Sequence, residues 1–584
     1  MSAGLRWISI CLALIATTTL SVAGPAPALA AWPPFGQAVC TASKGQTHVS
    51  ITTDGAGGAI LAWQDQRDAK VNIFAQHVLA SGDVDLGWAL NGQRMIVDAS
   101  LGGAAGGNFG PLIVSDGAGG AVVAWVDLRE VTSDKLDLFA QHILASGVLD
   151  ASWPTNGRQL VSAPGVGENF AMVSDGAGGA IVTWTDGRTS PDFDLFAQHV
   201  LGTGALAPGW PTNGLAVCTA SGRQQFPAIV TDGSGGAIIS WDDLRSSISG
   251  DDVYALRVLG SGAIALGWPV NGRVVCAAAG DQGHPTLTPD GASGVIVAWT
   301  DSRVVGSAHI FAQHVLGSGV VDPAWTVDGV AISNAGPLET RPLAVGDGAG
   351  GAVIAWQAFT VHLNMYAQHV LATGTVDPRW SDGGRALSIT DRTQSHADIA
   401  TDDLGGAIVA WEDSGNVVAQ HVGDSGLIDT AYPDTGRQIV DLPSDQGDVA
   451  IVSTPGGGAI VAWTDTRNGK DTDIYAMQVL EAATVDVSET PPENVTFARP
   501  SPNPARASLA LRFSLPRDAH VRLAIYDVTG RLVREVASGT RAAGQHTIAW
   551  DLRDADGLGV RGGLYFARLT VEGHSLTHKV IALE

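Results

Sequence analysis

The sequence predicts an all-β protein: an eight-bladed β-propeller with strand-exchange ring closure, followed by a small β-sandwich. Three observations carry this expectation. A unit recurs eight times at spacings of 52 to 62 residues, aligned on Trp63, Trp125, Trp184, Trp241, Trp299, Trp356, Trp411 and Trp463. Each unit consists of short Val, Ile, Ala and aromatic runs bounded by Gly, Asp-Gly and Asn-Gly, which are strand and tight-turn signals. The eighth unit stops after "DIYAMQVLEA" without the "GWPxNGxxV" element of the others, yet "WPPFGQAVCTA" from Trp32 duplicates "WPTNGLAVCTA" from Trp210. A strand missing at one end and spare at the other suits a ring, whereas a linear stack of repeats has no use for it.

Residues 1–30 come first: Arg6, the apolar run "WISICLALIATTTLSVAG" and then Ala28-Leu29-Ala30. This charged, apolar, small-residue order reads as a cleavable secretory signal, so the mature chain is expected to begin near Ala31 and to be secreted or held at the outer cell surface. Cys11 follows "ISI" rather than a small-residue lipobox, which argues against a lipid anchor. No later stretch approaches the roughly 20 apolar residues of a membrane helix, so no transmembrane segment is expected once the signal is removed.

Residues 31–483 hold the repeats. Four strands, A to D, are predicted per unit. A ends in "(S/T)DGxGG", B reads "AIVAWxDxR", C reads "(I/L)(F/Y)AQHVL" and D follows "GWPxNG". The Asp-Gly between A and B is a hairpin turn, where glycine takes positive φ without a Cβ clash. A calcium loop is the competing reading, but no loop supplies the spaced carboxylates that calcium needs. Strand B is apolar on both faces, as Ala59, Leu61 and Trp63 alternate with Ile60 and Ala62. It must be covered on both sides, as in sheets stacked on copies of themselves.

The motif W-x-D-x-R supplies the candidate site residues: Asp65 and Arg67, Asp127 and Arg129, Asp186 and Arg188, Asp243 and Arg245, Asp301 and Arg303, Asp465 and Arg467. A charge pair repeated in six sheets reads first as structural, tying neighbouring blades, and second as a ligand-facing ring. Six histidines share a strand C slot, namely His77, His142, His199, His314, His369 and His421. Spread around a ring, they cannot meet at one metal with ligand bonds of about 2 Å, so they are expected to be packed and hydrogen-bonded. Cys40, Cys218 and Cys276 occupy one repeat slot and read as buried apolar residues. No cofactor or metal is expected.

Catalytic signatures were sought against this background. The repeat tyrosines Tyr254, Tyr366, Tyr432 and Tyr475 all fill aromatic slots, leaving no spare nucleophile of the sialidase kind. Paired carboxylates, phosphate loops and nucleophile elbows are missing. The chain is therefore expected not to be an enzyme. Individual character lies in the B–C and D–A connections, which emerge on one face and suit a protein or glycan ligand.

After Ala483 the repeat ends, and residues 484–496, "TVDVSETPPENVT", read as an acidic linker. Residues 497–584 follow as short alternating strands containing Pro502-Asn503-Pro504, Leu515-Pro516, Tyr526-Asp527, Gly530-Arg531, Trp550-Asp551, Gly563-Leu564-Tyr565 and Lys579-Val580. This region resembles the FlgD-like immunoglobulin module and the type A sorting domain of the type IX secretion system. Ala505 departs from the pattern, in which Phe commonly follows Pro-Asn-Pro. The resemblance implies an immunoglobulin-like fold and contact with secretion machinery through residues 497–584. The repeats themselves resemble uncharacterised exported bacterial propeller repeats.

Net charge is −25, while residues 497–584 carry 12 basic against 8 acidic side chains, so the acidity belongs to the repeats. Such a surface repels phosphate backbones, and nucleic acid is not an expected partner. The expected function is an exported binding scaffold. The alternatives are a carbohydrate-active enzyme with its site on the same loop face and a purely structural envelope component.

Overall fold

The computed structural model describes residues 32–479 and 495–582 apart from 34, 69, 98–109, 128–136, 163–165, 189–191, 247–249, 335, 430–431, 441, 498–499, 501–504, 506–508, 518, 542–543, 551, 556–557 and 572–573. The signal sequence and most of the linker lie outside the described residues. The chain divides into two compact units, 1–482 and 483–584. All regular elements among the described residues are strands.

In the first repeat, A is Gln46–Thr53, B is Ala59–Asp65, C is Asn72–Val78 and D is Gln93–Arg94, joined as an antiparallel sheet in that order. The A–B turn forms as its sequence dictates. Gly55 and Gly57 sit at φ 75° and 92°, and Asp54 Oδ1 accepts from the N–H groups of Ala56 and Gly58 at 2.7 and 2.9 Å. Strand D is only two to four residues long in every repeat. "GWPxNG" is spent on turns, since Pro lacks an N–H and Asn-Gly reverses the chain.

Among the described residues the first unit contains eight such four-stranded sheets. Seven take all four strands from one continuous segment. The remaining sheet combines Gln446–Thr454, Gly458–Asp465 and Asp473–Val479 with Gln37–Cys40, whose Gln37 and Ala38 pair with Ala476 and Tyr475. Strand B is buried along its length in each sheet apart from Thr300, Phe359 and Glu412, and all eight motif tryptophans are fully buried. Trp63 stacks on Phe74 of strand C with centroids 6.5 Å apart, and the same pairing recurs at Trp125–Phe139, Trp184–Phe196 and Trp241–Tyr254. Truncating one such tryptophan to Ala would cost about 3–5 kcal/mol.

Apolar layers fill the spaces between successive sheets. One layer joins Ile60 and Ala62 to Val123 and Trp125. Another joins Val49, Leu61 and Trp63 of the first repeat to Val39, Ile460 and Ala476 of the last sheet.

The second unit has one sheet of Thr496–Phe497, Leu509–Leu515 and Gly544–Trp550. Its other sheet orders Leu532–Arg541, Ala519–Asp527, Gly563–Val571 and His574–Ala582. Phe513, Leu523, Ile525, Trp550 and Leu569 share its core.

Candidate functional site

Strand A carries an irregularity that the repeat pattern does not announce. Its register against strand B slips between Thr47 and Ser50, and His48 stands in the slip at φ 56°. A bulge of this kind turns a side chain out of the alternating pattern, and positive φ on a non-glycine residue is a strained geometry. The same slip and the same sign of φ recur at Phe226 (51°), His284 (54°), Arg341 (54°), His396 (47°) and Asp448 (49°). Gly110 and Asn169 hold the corresponding place in the second and third repeats. All eight residues line one cavity of about 800 Å³, together with Pro111, Pro227, Pro285 and Pro342. Since each comes from the A strand of a different sheet, or in the second repeat from just before it, the cavity lies where the eight A segments converge. The slips are near the start of strand A, whose Gln46 pairs with Asp65 at the end of B. The cavity is therefore closer to the B–C and D–A connections than to the A–B turns.

The lining is chemically diverse. His48 donates its backbone N–H to Asp448 Oδ2 at 2.8 Å, while its Nδ1 is shut away from solvent with no hydrogen-bond partner. A Cβ on Gly110 would approach His48 Cβ to 2.8 Å, so glycine there makes room for the imidazole. His284 donates its backbone N–H to Asp242 Oδ1 at 2.9 Å, and its ring lies 4.8 Å from that of Phe226. Burial pushes the Asp242 carboxyl well above the carboxylate range. Burial, and then the positive charge of Arg341, hold His284 below the ordinary imidazole value of 6.5. His396 Nδ1 pairs with Glu412 Oε2 at 3.0 Å. Arg341 is exposed in the cavity and forms no ion pair among the described residues.

The residues singled out in sequence stand elsewhere. Asp65 Oδ2 accepts from Trp63 Nε1 at 2.9 Å and from Arg67 Nη2 at 2.5 Å, while Oδ1 accepts from Arg67 N and Nε at 2.9 and 2.8 Å. The Arg67 guanidinium lies 4.0 Å above the Phe74 ring and reaches Cys40 Sγ, in the strand that completes the last sheet, at 3.1 Å. The same clasp recurs at Asp186 with Arg188, Asp243 with Arg245, and Asp301 with Arg303. Asp465 and Arg467 keep the Nη2 contact at 2.5 Å. Asp127 accepts from Trp125 Nε1 at 2.8 Å, and Arg129 lies outside the described residues. None of the eleven described residues of this set lines the cavity.

The strand C histidines bridge two turns. His77 Nε2 meets Asp54 Oδ2 at 3.0 Å and Nδ1 meets Asp85 Oδ2 at 2.9 Å. His142, His314, His369 and His421 are held likewise, and His199 pairs with Asp175. In the fourth repeat Arg257 replaces the histidine and its Nε reaches Asp232 Oδ2 at 3.0 Å. In the eighth, Gln478 and Thr454 replace both partners together. Cys40, Cys218 and Cys276 are free and buried, and burial pushes each thiol up to about 12. Among the described residues no group of three or more His, Cys, Asp or Glu is arranged to hold a metal ion.

Sequence reasoning missed the cavity residues because it searched repeated motifs. The signal lay in the opposite property. Six residues before the turn position (Asp in seven repeats, Thr454 in the eighth), the repeats read His, Gly, Asn, Phe, His, Arg, His and Asp.

No curated protein matches the chain in sequence. Among solved structures, a PL25 ulvan lyase bound to a sulfated glucuronate–rhamnose saccharide shares 11% identity at a TM-score of 0.40, covering 76% of this chain and 96% of the lyase. The α-L-arabinanase of Penicillium chrysogenum shares 13% at 0.32, over 54% and 92%. PorZ, a surface component of the type IX secretion system of Porphyromonas gingivalis, shares 13% at 0.30, over 93% and 82%. The expectation that this chain is not an enzyme is corrected here: the structures similar to it include a polysaccharide lyase and an arabinanase. An active site assembled from single residues of separate sheets leaves no contiguous motif in the sequence. The family model of the FlgD Ig-like domain matches residues 503–574 of the C-terminal unit.

Proposed function

We propose that residues 31–483 form an eight-bladed propeller, closed where Gln37–Cys40 completes the last sheet, and that its axial cavity is the ligand site of an exported, surface-displayed protein. Residues 497–584 serve its delivery or attachment, in keeping with their FlgD Ig-like match. One observation carries the site. Eight equivalent positions hold six residue types around a single cavity, whereas the Trp, Asp-Gly and His slots repeat. A scaffold needs the same residue in every sheet; recognition of an asymmetric ligand needs different ones. In this reading the Asp–Arg clasps are structural.

A second reading places turnover of a saccharide in the same cavity. It is favoured by His284, an imidazole in the cavity wall that burial and Arg341 hold below its ordinary value, a group of the kind that accepts a proton. A glycan array scored for both capture and product release tests the two. Loss of capture in Arg341→Gln and Phe226→Ala supports the cavity as the site. Capture that persists unchanged in both places the site elsewhere.

A further inference from the structure

Resting on the axial cavity as the ligand site, we infer that its ligand is a saccharide bearing one carboxylate on the recognised unit, such as a uronic acid, with the carboxylate on Arg341 and a sugar face on Phe226. Arg341 is a permanent cation without an ion-pair partner among the described residues, in a unit that holds more than the whole of the chain's −25 net charge. Its backbone is held at φ 54°, a geometry that costs stability and that serves to place a side chain. The guanidinium fork matches a carboxylate in two parallel hydrogen bonds.

The rest of the lining sets what carries that carboxylate. Phe226 and His284 lie side by side, 4.8 Å between centroids and 49° between planes, and Pro227 and Pro285 continue the apolar wall. The axial C–H groups of a pyranose present an apolar face that covers such a wall, while Asn169 and Asp448 offer a donor and acceptors to ring hydroxyls. Asp448 opposes a second anionic group. The acidic outer surface repels long polyanions over the Debye length of about 10 Å at 0.1 M salt, whereas the Arg341 contact acts at hydrogen-bond range. A single acidic unit therefore fits better than a densely charged chain.

The test compares two disaccharides that differ only at C6, digalacturonate and its neutral counterpart digalactose, by calorimetric titration into the full chain. The expected result is at least about tenfold tighter binding of the acid, the worth of one charge-assisted contact. Arg341→Gln should erase that preference, Arg341→Lys should restore part of it, and Phe226→Ala should weaken both sugars. Equal affinities in the native chain, or a preference that survives Arg341→Gln, overturns the acidic-saccharide assignment. Failure of both sugars, while the cavity variants still lose capture on a glycan array, overturns the assignment and leaves the cavity as the site. Array capture indifferent to every cavity variant overturns both readings.

Discussion

Asp243→Ala isolates the energy of one Trp–Asp–Arg clasp. Asp243 is fully buried and accepts from Trp241 Nε1 at 2.7 Å, from Arg245 N and Nε at 2.9 and 2.8 Å, and from Arg245 Nη2 at 2.6 Å. Its removal leaves the indole N–H buried without an acceptor, which costs about 1–3 kcal/mol. Arg245 suffers less. Its side chain is 21% exposed, and it keeps Asn271 O at 2.7 Å and its position 3.8 Å above Tyr254. Its lost pairing adds about 1 kcal/mol after solvent screening. The expected sum is about 2–4 kcal/mol, read from urea unfolding followed by tryptophan fluorescence. The sixth repeat supplies an internal control, because Ala358 stands in the Asp slot and Trp356 Nε1 is already buried without a partner. Trp356→Phe should therefore cost clearly less than Trp241→Phe, which removes the indole donor from buried Asp243 as well as losing volume. A change below about 0.5 kcal/mol in Asp243→Ala, accompanied by loss of ligand capture, would refute the structural account and return the Asp–Arg ring to ligand binding.

Acid stability should follow the histidine bridges. Burial pushes Asp175, Asp290 and Asp402 up, but the hydrogen bonds from His199, His314 and His421 and from turn N–H groups outweigh it and hold all three below the ordinary value of 3.8. A depressed carboxyl stabilises the fold above its unfolded pKa and loses that contribution as pH falls through the folded value, so stability should drop below about pH 4. Asp175→Asn should lower stability at pH 7 and shallow that acid limb in circular-dichroism melts; an unchanged limb would discount the bridge. Cys40, Cys218 and Cys276, with thiols pushed to about 12 by burial, should resist a thiol-directed reagent at pH 8 until urea unfolds the chain; labelling of the native protein would contradict their packing. Deleting residues 31–45 removes the fourth strand of the last sheet and should lower the melting midpoint and broaden the transition; a truncated chain that melts unchanged would show that this pairing is dispensable.

The unit, its turns and its buried strand were legible because each rests on local rules. Alternation in "AIVAW" follows from the two-residue period of a strand, and Asp-Gly turns follow from the φ that glycine permits. The spare Trp32 element was legible as a copy of Trp210, and the structure pairs its strand with Asp473–Val479, more than 430 residues away. The histidine bridges were half legible. A hydrogen-bonded His77 was expected, but Asp54 read only as a turn residue, since the contact spans 23 positions and forms across two folded hairpins. The cavity lay beyond the sequence for a sharper reason. His48, His284, Arg341 and His396 occupy positions that strand alternation assigns to a sheet face, and a register slip paid for in backbone strain re-aims them. Nothing in the residue types announces that slip, as none of the four is a glycine. Their meeting depends on sheets packed side by side, a property of the tertiary arrangement that no window of the chain contains.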